Sequence, residues 1–202
     1  MGEGRTRWSR TRELLRENGL RQLWFRALGE LGYRRQLVTE LRLPAAPLQR
    51  PETDAEWRFL GEDDLDEYGR LHGFADEAAR RFGRGDRCFG MWSGGELAST
   101  RWLARGTVRL AYVDREAVLG PTDVYFYDVY TAPEHRRRGI SRLAAVVVPE
   151  LLAAEGARRI VGVLEPENRA GIGANEMAGY RIVGRIGYVK LGPWRCDFGS
   201  LS

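Results

Sequence analysis

One lysine in 202 residues, two cysteines and two histidines set the first limits on what this chain can do. The lysine is Lys190, close to the end, so no GxxxxGK[ST] phosphate loop can be built, and no GxGxxG dinucleotide fingerprint occurs. Cys88 and Cys196 are far apart and make neither a CxxC pair nor a ligand cluster with His72 and His135. Both thiols are therefore expected to be reduced, and no metal site is expected. Nor is there an apolar run long enough to span a bilayer, and the first residues, MGEGRTRWSRTRELLREN, lack the apolar segment of a secretory signal. The expected location is the cytoplasm.

What the chain has in excess is arginine. The formal charge of +4 is concentrated early, where Arg5, Arg7, Arg10, Arg12, Arg16, Arg21, Arg26, Arg34, Arg35 and Arg42 outnumber Glu3, Glu13, Glu17, Glu30 and Glu40. Leu20, Leu23, Trp24, Ala27, Leu28 and Leu31 recur at helical spacing and predict an amphipathic helix. Pro44, Pro47 and Pro51 then break the chain. This divides it into a basic helical arm over residues 1–50 and one domain over residues 51–202. The basic run reads as the solvated face of a helix, so neither nucleic acid nor membrane is an expected partner. The apolar stripe is too large to leave in water, and should pack on the domain or on a second copy, making a homodimer.

Within the domain, Glu56–Leu60 reads as a strand. Asp63 or Asp64 caps a helix carrying Leu65, Tyr68, Leu71, His72, Ala75, Ala79 and Phe82. Strands Arg87–Ser93 and Glu96–Leu103 flank Gly94-Gly95, a pair suited to a tight hairpin turn. Thr107–Val113 and Val124–Thr131 extend the meander. Ile140, Leu143, Ala144, Val147, Val148, Leu151 and Leu152 mark a helix with one buried face, kinked at Pro149. Strand Arg159–Leu164, a glycine-diluted helix over Glu165–Ala178, and strands Tyr180–Ile186 and Tyr188–Leu191 complete the order. The expected fold is α/β (α+β), with a mixed, mostly antiparallel central sheet, helices on both faces and the N-terminal helical arm. In such sheets ligands sit at strand carboxyl ends beside a helix N-terminus.

That place is occupied by Ala132-Pro133-Glu134-His135-Arg136-Arg137-Arg138-Gly139-Ile140-Ser141. Unpaired first-turn amides, a helix dipole and local arginines attract phosphate, and Gly139 lets backbone approach a ligand closely. Arg136 to Ser141 resembles the Q/R-x-x-G-x-G/A signature of the GNAT superfamily of acyl-CoA-dependent N-acyltransferases, with Ser141 in place of the final glycine or alanine. The flanking Val129-Tyr130-Thr131-Ala132-Pro133-Glu134 is similar to the family's strand end, and Asn168 followed by Gly179-Tyr180 is similar to its second motif. The resemblance spans roughly residues 55–191.

The resemblance implies an acetyl-CoA or other acyl-CoA co-substrate. Backbone at Arg136, Arg137, Arg138, Gly139, Ile140 and Ser141 would hold its diphosphate, Val129, Tyr130 and Thr131 would pair with its pantetheine arm, and Asn168 would fix that arm. The implied reaction is direct transfer of an acyl group to the amine of a small molecule or peptide. Alternatives are a longer acyl chain delivered by acyl-CoA or acyl carrier protein, and a domain that binds acyl-CoA for regulation without catalysis. Asp128 on the site-bearing strand and Asp123 at its start are the candidate bases, and a bulge decides which faces the cleft. His72 is a further possible base. Tyr125, Tyr127 and Tyr130 either line the acceptor pocket or belong to the core. Many family members carry a tyrosine acid seven residues after the motif asparagine, where this chain has Asn175. Protonation of the thiolate is therefore expected from water, Tyr130 or Tyr188.

Overall fold

The computed structural model describes residues 32–201, and the helix expected around Leu20–Leu31 lies outside them. The described residues run in the order β1 (Tyr33–Arg42), β2 (Glu56–Leu60), α1 (Leu65–His72), α2 (Asp76–Gly83), β3 (Arg87–Ser93), β4 (Glu96–Ala104), β5 (Thr107–Leu110), β6 (Arg115–Val118), β7 (Asp123–Thr131), α3 (Ile140–Ala154), β8 (Arg159–Leu164), α4 (Arg169–Met177), β9 (Arg181–Leu191) and β10 (Trp194–Phe198). Eight strands form one sheet in the order β10-β9-β1-β8-β7-β4-β3-β2, and β5 pairs with β6 apart from it. Every neighbouring pair is antiparallel except β7 with β8. The mixed, mostly antiparallel sheet with helices on both faces is the architecture expected. No helix among the described residues is long and apolar enough to cross a membrane.

β1 corrects the domain boundary expected near Pro44–Pro51. Residues assigned to the arm form an interior strand, paired to β8 through Leu37–Arg42 and to β9 through Tyr33–Glu40. Leu41 packs into the core under α3, while Val38 packs into the core on the opposite face. A strand covered on both faces shows no clean apolar–polar alternation, which is why its pattern does not announce it. The proline stretch that follows is no free linker either: Pro51 and Glu52 lie against the loop at Gly139.

Three layers bury the sheet. On one face Ile140, Leu143, Ala144, Val147, Val148 and Leu152 of α3 pack with Phe89, Met91, Leu103, Val124 and Ile160, and α3 runs unbroken through Pro149. A fully buried leucine or isoleucine of this kind contributes roughly 1.5–3 kcal/mol relative to exposure. The opposite face divides in two. Tyr68 of α1 and Ala78 of α2 cover Cys88 and Trp102, whereas Val108, Leu110 and Val113 from the β5–β6 region cover Val38, Tyr125, Val161 and Ile186. The single helix expected over Leu65–Phe82 is two, because Gly73 adopts φ +81 and its N–H closes on Gly69 O at 2.7 Å. A left-handed glycine is a common way to end a helix. It leaves His72 as the last residue of α1.

Candidate active site

β7 ends at Thr131, a short turn over Pro133–His135 follows, and α3 begins after Gly139. Gly139 sits at φ +77 and Arg137 at φ +65. The first amide in α3 to find a backbone carbonyl is that of Leu143, which bonds to Gly139 O at 2.8 Å. No backbone carbonyl among the described residues accepts from the N–H groups of Arg137 to Arg142, at the positive end of a 15-residue helix. Beside them lies a cavity of about 570 Å³ lined by Thr131, Arg136, Arg137, Gly139, Ser141 and Arg142, with Leu48, Ala145, Ala174 and Met177 as its apolar wall. Free amides, arginines and an adjoining apolar wall fit a ligand that joins a diphosphate to less polar groups.

From this junction β7 leads into the sheet, and its pairing with β8 stops at Phe126 and Gly162. Beyond that point the two parallel strands part. On its other edge β7 carries a bulge, because Tyr127 pairs with Trp102 and Tyr130 with Thr100, which leaves Asp128 and Val129 opposite Arg101 alone. Asp128 takes up the extra residue at φ +48, and its carboxylate is held by Arg81 Nη1 at 2.5 Å. Arg81 in turn lies over the rings of Trp102 and Tyr127. Next to the bulge, the ring of Tyr130 comes within 4.9 Å of the His72 ring, which stacks on Tyr68 at 4.1 Å. His72 Nε2 and Thr100 Oγ1 are 2.8 Å apart. Burial pushes the His72 pKa below the ordinary histidine value, with Asp128 opposing that shift and Arg81 assisting it. The imidazole is neutral at pH 7, and the half-exposed ring of Phe74 stands 6.1 Å from it.

A strand end, an anion-binding helix start, a bulge and two parting parallel strands are now in place, and the family comparison gives them a common origin. The family model described as acetyltransferase (GNAT) family matches residues 48–180. The chain belongs to the GNAT acetyltransferase family. Solved structures share the GNAT fold at low identity. One is a putative acetyltransferase of the GNAT family from Novosphingobium aromaticivorans, with TM-score 0.52 and 21% identity over 75% of this chain and 62% of that one. Another, a GNAT acetyltransferase from Colwellia psychrerythraea, gives TM-score 0.54 and 16% identity over 81% of this chain and 59% of that one. The aminoglycoside N-acetyltransferase AAC(6')-Iy in complex with CoA gives TM-score 0.54 and 15% identity over 72% of this chain and 99% of that one. The chain thus spans 62% and 59% of the length of the first two. No curated protein matches the sequence.

Placed on this GNAT framework, the residues singled out from sequence separate. Val129 belongs to the bulge, Tyr130 and Thr131 follow it, and Arg136, Arg137, Gly139, Ile140 and Ser141 line the cavity beyond. Arg138 lies in the same loop, though not among the lining residues. Asn168 caps α4, accepting from Gly171 N at 2.8 Å. Asn175 reaches Thr39 Oγ1 on β1 at 3.3 Å. The two candidate carboxylates lie in different surroundings. Asp123 stands at the opposite end of β7 from Thr131, roughly 26 Å away at the usual strand rise, paired with Arg159 at 2.5 Å. Asp128 is next to the site, but its carboxylate is committed to Arg81. Tyr188 packs into the core beneath Arg195 on the face away from α3. Tyr125 and Tyr127 also belong to the core. The residue that sequence reasoning undervalued is His72: only the break at Gly73 and the fold of α1 over β4 bring it to Tyr130.

Proposed function

We propose that this GNAT chain transfers an acetyl or other acyl group from coenzyme A to the neutral amine of a small molecule or peptide by direct attack, with His72 as the general base. One observation carries the reading. β7 ends in the amide-lined pocket at Arg136–Ser141, and three residues before that end the bulge begins that sets Tyr130 against a neutral, partly buried imidazole.

In this reading the amides from Arg137 to Ser141 hold the diphosphate, and the strand end Val129–Thr131 pairs with the pantetheine arm where β8 has parted from β7. Backbone groups of β7 past Phe126, where β8 no longer pairs with it, polarise the acyl carbonyl. With Nε2 carrying its hydrogen toward Thr100 Oγ1, His72 Nδ1 keeps the lone pair that receives the amine proton. The amine nitrogen bonds to the acyl carbon as the carbon–sulfur bond breaks. In this reading the phenol of Tyr130 returns a proton to the sulfur. Arg81 and Asp128 hold α2 to the bulge and act as positioning residues.

The test is an amine panel read by mass spectrometry, with acetyl-CoA, longer acyl-CoAs and loaded acyl carrier protein as donors and with donor binding measured alongside. An N-acyl product and one free thiol per turnover are expected with at least one donor. Tight donor binding with no turnover on any amine would make the chain a non-catalytic acyl-CoA-binding domain and sink the proposal.

A further inference from the structure

One buried charge has no part in the chemistry above. Arg101 on β4 is 2% exposed. Nη2 donates to Ser99 Oγ at 3.3 Å, Nε has no partner, and no salt bridge among the described residues includes it. Burial lowers its pKa to about 10, so the guanidinium remains charged at pH 7. An arginine removed from water without a counter-ion is destabilising, and an anion bound nearby would supply the missing partner. Arg101 stands opposite the bulge, paired across β3 with Phe89, whose side chain belongs to the core under α3. Ser99 Oγ, which receives the guanidinium, donates to Tyr130 O at 2.6 Å and lies 2.9 Å from Thr131 Oγ1. Thr131 Oγ1 is 3.2 Å from Ser141 Oγ, and both of these residues line the cavity at the start of α3. A chain of hydroxyls therefore runs from the buried cation to the anion pocket.

We propose that Arg101 is a positioning residue for the coenzyme, a fixed positive charge beneath Tyr130–Thr131 that raises the potential of the diphosphate pocket and orients Ser141 through Ser99 and Thr131. The inference rests on the coenzyme reading of that pocket. It differs from the role of Arg136, Arg137 and Arg142, which meet the ligand from the solvent side and are screened by salt. A charge sealed in the core is screened far less and costs no side-chain ordering when the ligand arrives.

The experiment compares wild type with Arg101→Met, which keeps the apolar stem, and Arg101→Lys, which keeps the charge. Calorimetry measures CoA, ADP and phosphate-free pantetheine, and thermal melting is recorded without ligand. The methionine variant is expected to lose at least tenfold in CoA and ADP affinity, to bind pantetheine unchanged, and to melt no lower than wild type. The lysine variant should recover most of the loss. Unchanged CoA affinity in folded Arg101→Met overturns the proposal, as does a lowered melting temperature with all affinities intact, which is the signature of a purely structural arginine. Should the methionine variant fail to fold, Ser99→Ala interrupts the hydroxyl chain and leaves the charge in place. An unaltered CoA affinity there overturns the proposal equally. If wild type itself binds neither CoA nor ADP, the coenzyme reading fails first and this inference goes with it.

Discussion

At Gly139 the backbone holds φ +77, and a Cβ there would lie 3.3 Å from Pro51 Cβ. A side chain at that position incurs the left-handed penalty of about 1–2 kcal/mol and projects beside the amides proposed to hold phosphate. Gly139→Val should remain folded and lose at least tenfold in acetyl-CoA affinity; an unchanged calorimetric titration removes the phosphate assignment. His72 makes a different demand, since its neutrality is the point. Burial lowers its pKa, so kcat/KM should rise with pH through a value below the ordinary histidine value of about 6.5 and then level off. His72→Ala should lower kcat by about a hundredfold or more, abolish that acid limb and leave acyl-CoA affinity in place. A variant that keeps wild-type kcat makes His72 a structural ring stacked on Tyr68.

At the scale of elements, β1 is the piece whose importance is least visible in its own residues. It is held on both edges, by β8 and by β9, and carries Leu41 into one core and Val38 into the other. Its amides from Leu37 to Leu41 should exchange with solvent only through global unfolding, as slowly as those of β8, while those of the edge strand β10 exchange far sooner. Fast exchange in β1 measured by mass spectrometry would return it to the status of an appended arm. The strand also bears on the site. Thr39 on β1 donates to Gly162 O at 3.3 Å, at the residue where β7 and β8 part, and receives Asn175 Nδ2 from α4. The parting of the parallel strands is thus pinned by the segment that the proline pattern assigned elsewhere. α1 and α2 show the same dependence on context. Their spacing reads as one helix, and the division at Gly73 turns His72 toward Tyr130.

For the whole molecule, arginine is the cation at both work and rest, and its carboxylate partners set the response to acid. Arg42 holds Glu40 below the ordinary carboxylate range, Arg58 does so for Asp64, Arg159 for Asp123 and Arg87 for Glu155. Each folded pKa is depressed, so the stabilisation is complete above the unfolded value of about 4 and is lost as pH falls through the folded values. His72, also depressed, adds a smaller loss that begins as pH falls below the ordinary histidine range. Melting temperatures recorded from neutral pH downward should therefore dip slightly in the histidine range and fall steeply below about pH 4. A flat profile down to pH 3 would mean that these pairs are equally formed in the unfolded chain. The sequence by itself determined the strands β2, β3, β4, β7 and β8, the apolar stripe of α3, and the strand-to-helix loop from Arg136 to Ser141, because each rests on contacts or backbone geometry within a few neighbouring residues. Only the tertiary structure decided the rest. β1 has its partners more than a hundred residues away, Asp128 loses its carboxylate to an arginine on α2, and His72 reaches Tyr130 only when α1 folds over β4. Arg101 reads as one more polar residue in a strand until the fold buries it. Spacing along the chain records which face a residue shares with its neighbours, and carries no record of what arrives on that face from elsewhere.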